Sequence, residues 1–298
     1  PVFVDVDPDT CQISAEAIKA AITPKTRGII VVHYGGYMAD LDAILPVAKE
    51  HNLIVIEDCA HAQGSAWRGK KAGSWGTFGS FSFQHSKSLA SGEGGIVITN
   101  DESLYEKAVL LMNIGRKQGQ THYNHYISAS NWRLGGLQAA LLLSRFKKFP
   151  QEAEERDRNI TFFANEINKI PGLKTLKKDD RITQRGCYFF IIDFDEKEFG
   201  CSRQKFVEAL RAEGVKNVIF GYERPLYKEP AFSPENLRPL LHESIKIPNY
   251  PEMYLPNAEK WASRQVTIFH YYFLGDGTET RLLLDAIKKI KENVHELA

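Results

Sequence analysis

The feature that most constrains this chain is the grammar of its first hundred residues. Three apolar runs of strand length, VFVDVD from Val2, GIIVVH ending at His33 and LIVIED ending at Asp58, are separated by helical patterns over residues 14–22 and 41–51. Strands divided by helices run the same way, and nearly continuous apolar runs belong to a parallel sheet covered on both faces. Ligands of such sheets bind outside the carboxyl ends of the strands. The residues at those ends are His33 and Tyr34, then Glu57 and Asp58.

A further strand alternates over residues 78–84, with Phe81 and Phe83 on one side and Ser80, Ser82 and Gln84 on the other. It leads into SFQHSKSLASGEGG, where Lys87 stands on a loop before a glycine turn and a second short strand, Ile96 to Ile98. A loop lysine is by default solvated. Its alternative is a nucleophilic amine, which needs supporting chemistry elsewhere. Asp58, at the end of a buried run, is either a solvated strand end or an acid aimed at a ligand. An acid for a protonated ring nitrogen and a lysine on the same sheet rim are together what a pyridoxal phosphate enzyme requires.

At 298 residues the chain exceeds what one core usually covers, which sets the expectation of two domains. The change falls near Pro150: a large domain over residues 1–150, and a small one over 151–298 entered through a bridging helix. That helix, from Gln151 to about Lys169, carries an apolar stripe of Ile160, Phe163, Ala164 and Ile167. Glu152 with Arg156 and Glu154 with Arg158 read as pairs on its wet face. Beyond it, CYFFIIDF, a helix over residues 202–213, NVIF and a last helix from Thr278 spell a smaller α+β unit. Residues 222–254, rich in Pro and Tyr, are longer than a plain connection and are candidates to line a binding site.

Other classes of function are disfavoured. Lys plus Arg is 38 against 37 acids, a net charge of +1 with no basic stripe, so nucleic acid is a poor partner. No apolar run reaches the roughly 18 residues of a membrane span and no signal-peptide pattern opens the chain, which sets the expectation of a cytoplasmic protein. Cys11, Cys59, Cys187 and Cys201 form no CxxC pair and read as packing residues. GSAWRGKK, residues 64–71, matches a P-loop except that Lys71 replaces the magnesium-binding hydroxyl and another turn follows. His61, His85, His122, His125 and His270 are scattered without an HExxH, so no metal is expected.

The ordered run IEDCAHAQGSAWRGKKAGSWGTFGSFSFQHSKSLASGEGGIVITND, residues 56–101, resembles the DegT/DnrJ/EryC1/StrS aminotransferases, pyridoxal phosphate enzymes that aminate keto sugars and keto cyclitols. The likeness extends through VDVDPDT and VVHYGGYMADLDAI upstream, and NIGRKQG, NWRLGGLQAALLL and YERPLYKEPAF downstream, nearly the whole chain. It implies a fold type I aminotransferase, an α/β protein whose large domain holds a mostly parallel sheet, with a smaller C-terminal α+β domain. It implies Lys87 as the Schiff-base lysine, Asp58 as partner of the pyridine nitrogen, His61 against the cofactor ring and Ser82 at the cofactor phosphate. Asn131 and Arg133 match a segment that reaches across a dimer interface into the neighbouring site, which implies a homodimer.

The resemblance also implies glutamate or glutamine as amino donor and a nucleotide-linked keto sugar or a keto cyclitol as acceptor. FSFQ and IFHYYFLGD are similar to the aminocyclitol branch. Relatives that dehydrate keto sugars carry His in place of the lysine, so Lys87 favours transamination. Dehydration, and a non-catalytic truncated or degenerate member, are the alternatives. Family members carry, ahead of VDVDPDT, a hydroxyl-bearing turn that grips the phosphate and an aromatic residue that stacks on the ring. Neither is in this sequence, which sets the expectation of an N-terminally incomplete chain with weakened cofactor binding.

Overall fold

The computed structural model describes residues 1–297. In chain order its elements are α1 (Ala15–Ala21), β1 (Gly28–Val32), α2 (Leu41–Glu50), β2 (Ile54–Asp58), β3 (Ala66–Trp67), β4 (Lys70–Lys71), β5 (Phe78–Ser82), β6 (Gly95–Ile98), α3 (Glu102–Met112) and α4 (Gly136–Phe146). There follow α5 (Phe149–Ile167), β7 (Leu173–Thr175), β8 (Ile182–Gln184), β9 (Phe189–Phe194), α6 (Glu196–Phe199), α7 (Arg203–Ala212), β10 (Val218–Ile219), α8 (Pro234–Leu237), α9 (Pro256–Arg264), β11 (Gln265–Phe269) and α10 (Thr278–Glu292). The chain divides into two compact units. One is made of residues 23–157 and 179–188; the other of residues 1–22, 158–178 and 189 onward. This partition differs from a single change at Pro150: the opening segment joins the C-terminal unit, and residues 179–188 return to the first.

The first unit is built on the sheet β1-β2-β5-β6, with β1, β2 and β5 parallel and β6 antiparallel to β5. Asp40 caps α2 by accepting the Ala43 N–H, and α2 buries Leu41, Ile44 and Val47. Ile29, Val31 and Val55 are buried, whereas Ile30, Val32 and Ile54 on the opposite face are exposed. The expectation of two covered faces is therefore met on one face among the described residues. In register, Val32 lies beside Asp58 and Asp58 beside Ser80. β1 and β2 thus end level and β5 runs two residues further to Ser82, so that His33, Asp58 and the residues after Ser80 share one rim.

Residues 64–71 form a hairpin rather than a phosphate loop. β3 pairs antiparallel with β4 across Arg68 and Gly69, both at positive φ (48° and 79°), the turn that matches strand twist. On its other side β3 pairs with β8, which brings residues 179–188 into this unit. In α5, Arg156 is buried rather than wet: its guanidinium bonds Glu152 at 3.1 Å and lies over the Phe149 ring.

The second unit holds the antiparallel sheet β10-β11-β9-β7. Phe194 stacks on Phe206 and both meet Phe199 tilted or edge-on in its core, and α10 buries Leu283, Ile287 and Ile290. VFVDVD is not a strand here; only Val6 bridges to Ile13. Its alternation serves other ends. Phe3 meets Tyr227, Phe232 and Tyr250 edge-on or tilted, and the Asp5 carboxylate accepts the Asn257 and Ala258 N–H groups that open α9. Tyr227 and Tyr250, from the long Pro- and Tyr-rich region, are thereby core residues, while Tyr222 and Tyr254 stay exposed.

Candidate active site

Lys87 sits on a loop that is closed at its base. The Phe83 N–H donates to Gly94 O and the Ser91 N–H donates to Phe83 O, so both ends of residues 83–94 are tied to one residue. Phe83 and Leu89 anchor the loop in an apolar cluster with Phe149 and Ala153. Inside it, the Gln84 carboxamide oxygen accepts from the Ser86 N–H and hydroxyl, and the Lys87 N–H donates to Gln84 O. Gln63, buried, spans the loop from below. Its amide donates to Ser82 O at 2.6 Å and its oxygen accepts the Ser88 hydroxyl at 3.3 Å. The backbone on either side of Lys87 is thus fixed while the side chain is left half-buried.

Desolvation holds the Lys87 amine below the usual lysine range, and the nearby Asp58 charge opposes that shift. Asp58 ends β2 and accepts the Ala60 N–H at 3.0 Å, which turns the chain toward His61. His61 is buried and its Nδ1 accepts the Gly35 N–H at 3.3 Å. Burial, and then the Lys87 charge, push its pKa down to about 3, so the ring is neutral at ordinary pH. Ser82 ends β5, and its hydroxyl accepts the Gln84 N–H at 3.3 Å. Lys87, Asp58, His61 and Ser82 therefore stand on the rim of one sheet.

A second segment, residues 186–188, closes on this rim. The Gly186 N–H donates to the Ser65 hydroxyl, which donates to Gly36 O, and the Tyr188 N–H donates to Gly35 O. The approach is close enough to require glycine. A Cβ on Gly36, at φ 93°, would lie 2.6 Å from Cys187 N, and one on Gly186 would strike Gln63 O. The result is that the Tyr188 ring stacks on His61 at 4.4 Å, and its hydroxyl bonds that of Ser86 at 2.8 Å. Gln63, Ser86 and Ser88 lie within the run 56–101 but nothing in the sequence assigns them a role, and Tyr188 lies outside every stretch that carries the resemblance. Tyr188 lies about a hundred residues from the loop it touches, and only the pairing of β3 with β8 brings it there.

Glu57, the neighbour of Asp58, points to the other side and has another task. Its carboxylate, fully buried, accepts from His33 Nε2 and from the Gly73, Trp75 and Gly76 N–H groups. The Ala39 N–H donates to His33 Nδ1, which puts the ring proton on Nε2. Burial alone would raise the Glu57 pKa, but these donors outweigh it and hold it below the usual range. His33, Glu57 and Cys59 present ligand atoms within 4.8 Å of one another. With both carboxylate oxygens occupied by N–H donors, the group reads as a clasp on residues 73–76 rather than a metal centre. Asn131 and Arg133 are exposed: Asn131 bridges to Asn113, and Arg133 Nε donates to the Asn131 side chain at 2.9 Å.

Comparison with known proteins gives a consistent result. The model of the DegT/DnrJ/EryC1/StrS aminotransferase family matches residues 1–282. The putative L-glutamine:3-amino-2,3-dideoxy-scyllo-inosose aminotransferase of Streptoalloteichus tenebrarius is 36% identical over 304 residues, covering 100% of this chain and 73% of that protein. The L-glutamine:2-deoxy-scyllo-inosose aminotransferase of Micromonospora echinospora is 32% identical over 308 residues, covering 100% and 72%. Among solved structures, 3-amino-5-hydroxybenzoic acid synthase superposes with a TM-score of 0.84 at 27% identity, covering 99% of this chain and 74% of that one.

Proposed function

Since this chain belongs to the DegT/DnrJ/EryC1/StrS aminotransferase family, we propose that it moves an amino group from L-glutamine to the ketone of a cyclitol, with pyridoxal 5′-phosphate as cofactor. Its fold is that of the fold type I aminotransferases. The observation that carries the reading is the half-buried Lys87 amine on the rim where Asp58 ends β2. The cyclitol is favoured over a nucleotide-linked keto sugar because relatives that match this chain over its whole length, though over only 73% and 72% of their own, bear cyclitol names, and glutamine over glutamate for the same reason.

The residues present fit the cofactor. Lys87 supplies an amine whose depressed pKa raises its uncharged, nucleophilic fraction. Asp58 supplies a carboxylate for a ring nitrogen, His61 a neutral planar face, and Ser82 a hydroxyl that can donate to a phosphate oxygen. When bound, the cofactor supplies an electron sink for the pair left behind when a Cα proton departs. Asp58 would hold a proton on the ring nitrogen and so keep that sink positive. Lys87, as a free amine, would take the donor's Cα proton at Nζ and pass it to the cofactor rather than back to Cα, which requires it uncharged at the moment of attack. His61, buried and uncharged, fixes one face without competing for the proton. Two half-reactions in one site give ping-pong kinetics. Asn131 and Arg133, exposed on the segment that leads into α4, would complete the site of a second copy, so the active unit is a homodimer.

The test is the visible spectrum of the purified chain with pyridoxal phosphate, before and after L-glutamine, in the wild type and in Lys87→Ala. A visible absorption band from a lysine-bound cofactor should be absent in Lys87→Ala and should bleach with glutamine. A keto cyclitol should then restore it and gain nitrogen by mass spectrometry. A wild type without the band would leave a non-catalytic fold, and a product that loses water without gaining nitrogen would make the enzyme a dehydratase.

A further inference from the structure

The reaction above leaves Tyr188 without a part, yet three of its contacts are to groups of the site. Its ring is stacked on His61 at 4.4 Å and 23°. Its hydroxyl bonds the Ser86 hydroxyl at 2.8 Å, one residue before the lysine. The Lys87 Nζ lies over the ring, 4.1 Å from its centroid. The residue is only 9% exposed, and its backbone is fixed by the bond to Gly35 O. A ring held by its edge, its back and its main chain presents a fixed negative face to a cation.

We propose that Tyr188 is a positioning residue: its ring receives the ammonium of Lys87 whenever the amine is free, and so returns it to one place between half-reactions. The claim about the reaction rests on the aminotransferase reading; the claim about the ring and the amine does not. Lys87 swings on a long, flexible stem, and an amine that must leave and re-enter one covalent bond gains from a defined waiting position. The groups that face it are Asp58 at the end of β2, whose charge favours the ammonium, His61, which is neutral, and the Tyr188 ring, which also favours the ammonium. Burial works the other way. The ring thus sets the balance between a parked cation and a reactive amine.

The experiment uses the cofactor-free chain and acetic anhydride as probe, with the pH dependence of Lys87 acetylation read by peptide mass spectrometry. Tyr188→Leu should lower the apparent pKa of Lys87 by roughly half a unit, the size of an exposed-to-partly-buried cation–π contact. Tyr188→Phe should leave it unchanged, because the π face remains. The direction discriminates, since a residue that merely packs would, once shortened, admit water and raise the pKa. Should Tyr188→Leu fail to fold, Tyr188→Met, of similar reach and without a π face, is the same test. A rise, or no change, in the folded variant overturns the proposal. A wild type that gives no cofactor band but shows the Tyr188-dependent fall sinks the aminotransferase reading alone.

Discussion

Glu57 and Asp58 are adjacent carboxylates at one strand end, and strand alternation gives them opposite fates. Asp58 stays on the rim, while Glu57 turns inward to hold residues 73–76 and His33. The pH consequence follows from the lowered Glu57 pKa. Above its ordinary value of 4.5 the group is ionised folded and unfolded, and its full contribution to stability is present. As pH falls through the depressed folded value that contribution is lost. Glu57→Gln replaces an acceptor of several N–H groups by one that must donate with half its amide, at a cost of about 1–3 kcal/mol for each buried partner left unpaired. Urea midpoints measured from pH 7 down to pH 3 should be lower for the variant at neutral pH and should converge with the wild type in acid; parallel curves would mean that Glu57 does not set the acid limb. In the sequence both acids stand at the strand end and Asp58 alone is singled out, with no role for Glu57. The task of Glu57 is set by the loop at residues 73–76, whose donors are backbone N–H groups and leave no side-chain signature.

Elements differ in how far their residues announce them. The helices expected at 14–22, 41–51, 151–169 and 202–213 agree with α1, α2, α5 and α7 within two residues, helped by caps such as Ser14 and Asp40 that are written in side chains, whereas α3, α6, α8 and α9 are not anticipated. The parallel pair β1-β2 is legible because its apolar runs alternate with helical patterns, while β5 follows the β3-β4 hairpin with no helix between. VFVDVD has the alternation of a strand but spends it on an aromatic cluster and a helix cap, partners some 220 to 260 residues away in sequence. GSAWRGKK has the spacing of a phosphate loop, but the positive φ at Arg68 and Gly69 makes it a hairpin whose purpose is to receive β8. That pairing is what carries Gly186 and Tyr188 to the rim. Gly186→Ala tests the link between element and site: its Cβ would overlap Gln63 O, a backbone atom, so the segment must shift. A loss of about 1–3 kcal/mol in denaturant is expected, in the range of overpacked interiors. The Lys87 titration should move in the same direction as in Tyr188→Leu. A variant as stable as the wild type would show that the approach at Gly186 is slack.

At the scale of the whole molecule, α3 and α4 bury no residue within the unit that holds them. On α4 the exposures are large: Leu137 86%, Leu141 50%, Leu143 67% and Phe146 60%. Apolar side chains gathered on one helix in this way mark an interaction surface. The segment with Asn131 and Arg133 runs directly into this helix, so a partner that covers α4 would also meet the two side chains proposed to serve its site. If that partner is a second copy, light scattering should give twice the 33.7 kDa of one chain. Leu137→Glu combined with Leu141→Glu, which forces two carboxylates into that contact, should give the monomer mass. The monomer should keep the Tyr188-dependent titration of Lys87, a property of residues within one chain, and lose turnover, which on this reading draws on Asn131 and Arg133 of the neighbour. A wild type that runs as a monomer at micromolar concentration and still turns over would remove the second copy from the mechanism, and would leave each Lys87 rim to work with the residues of its own chain.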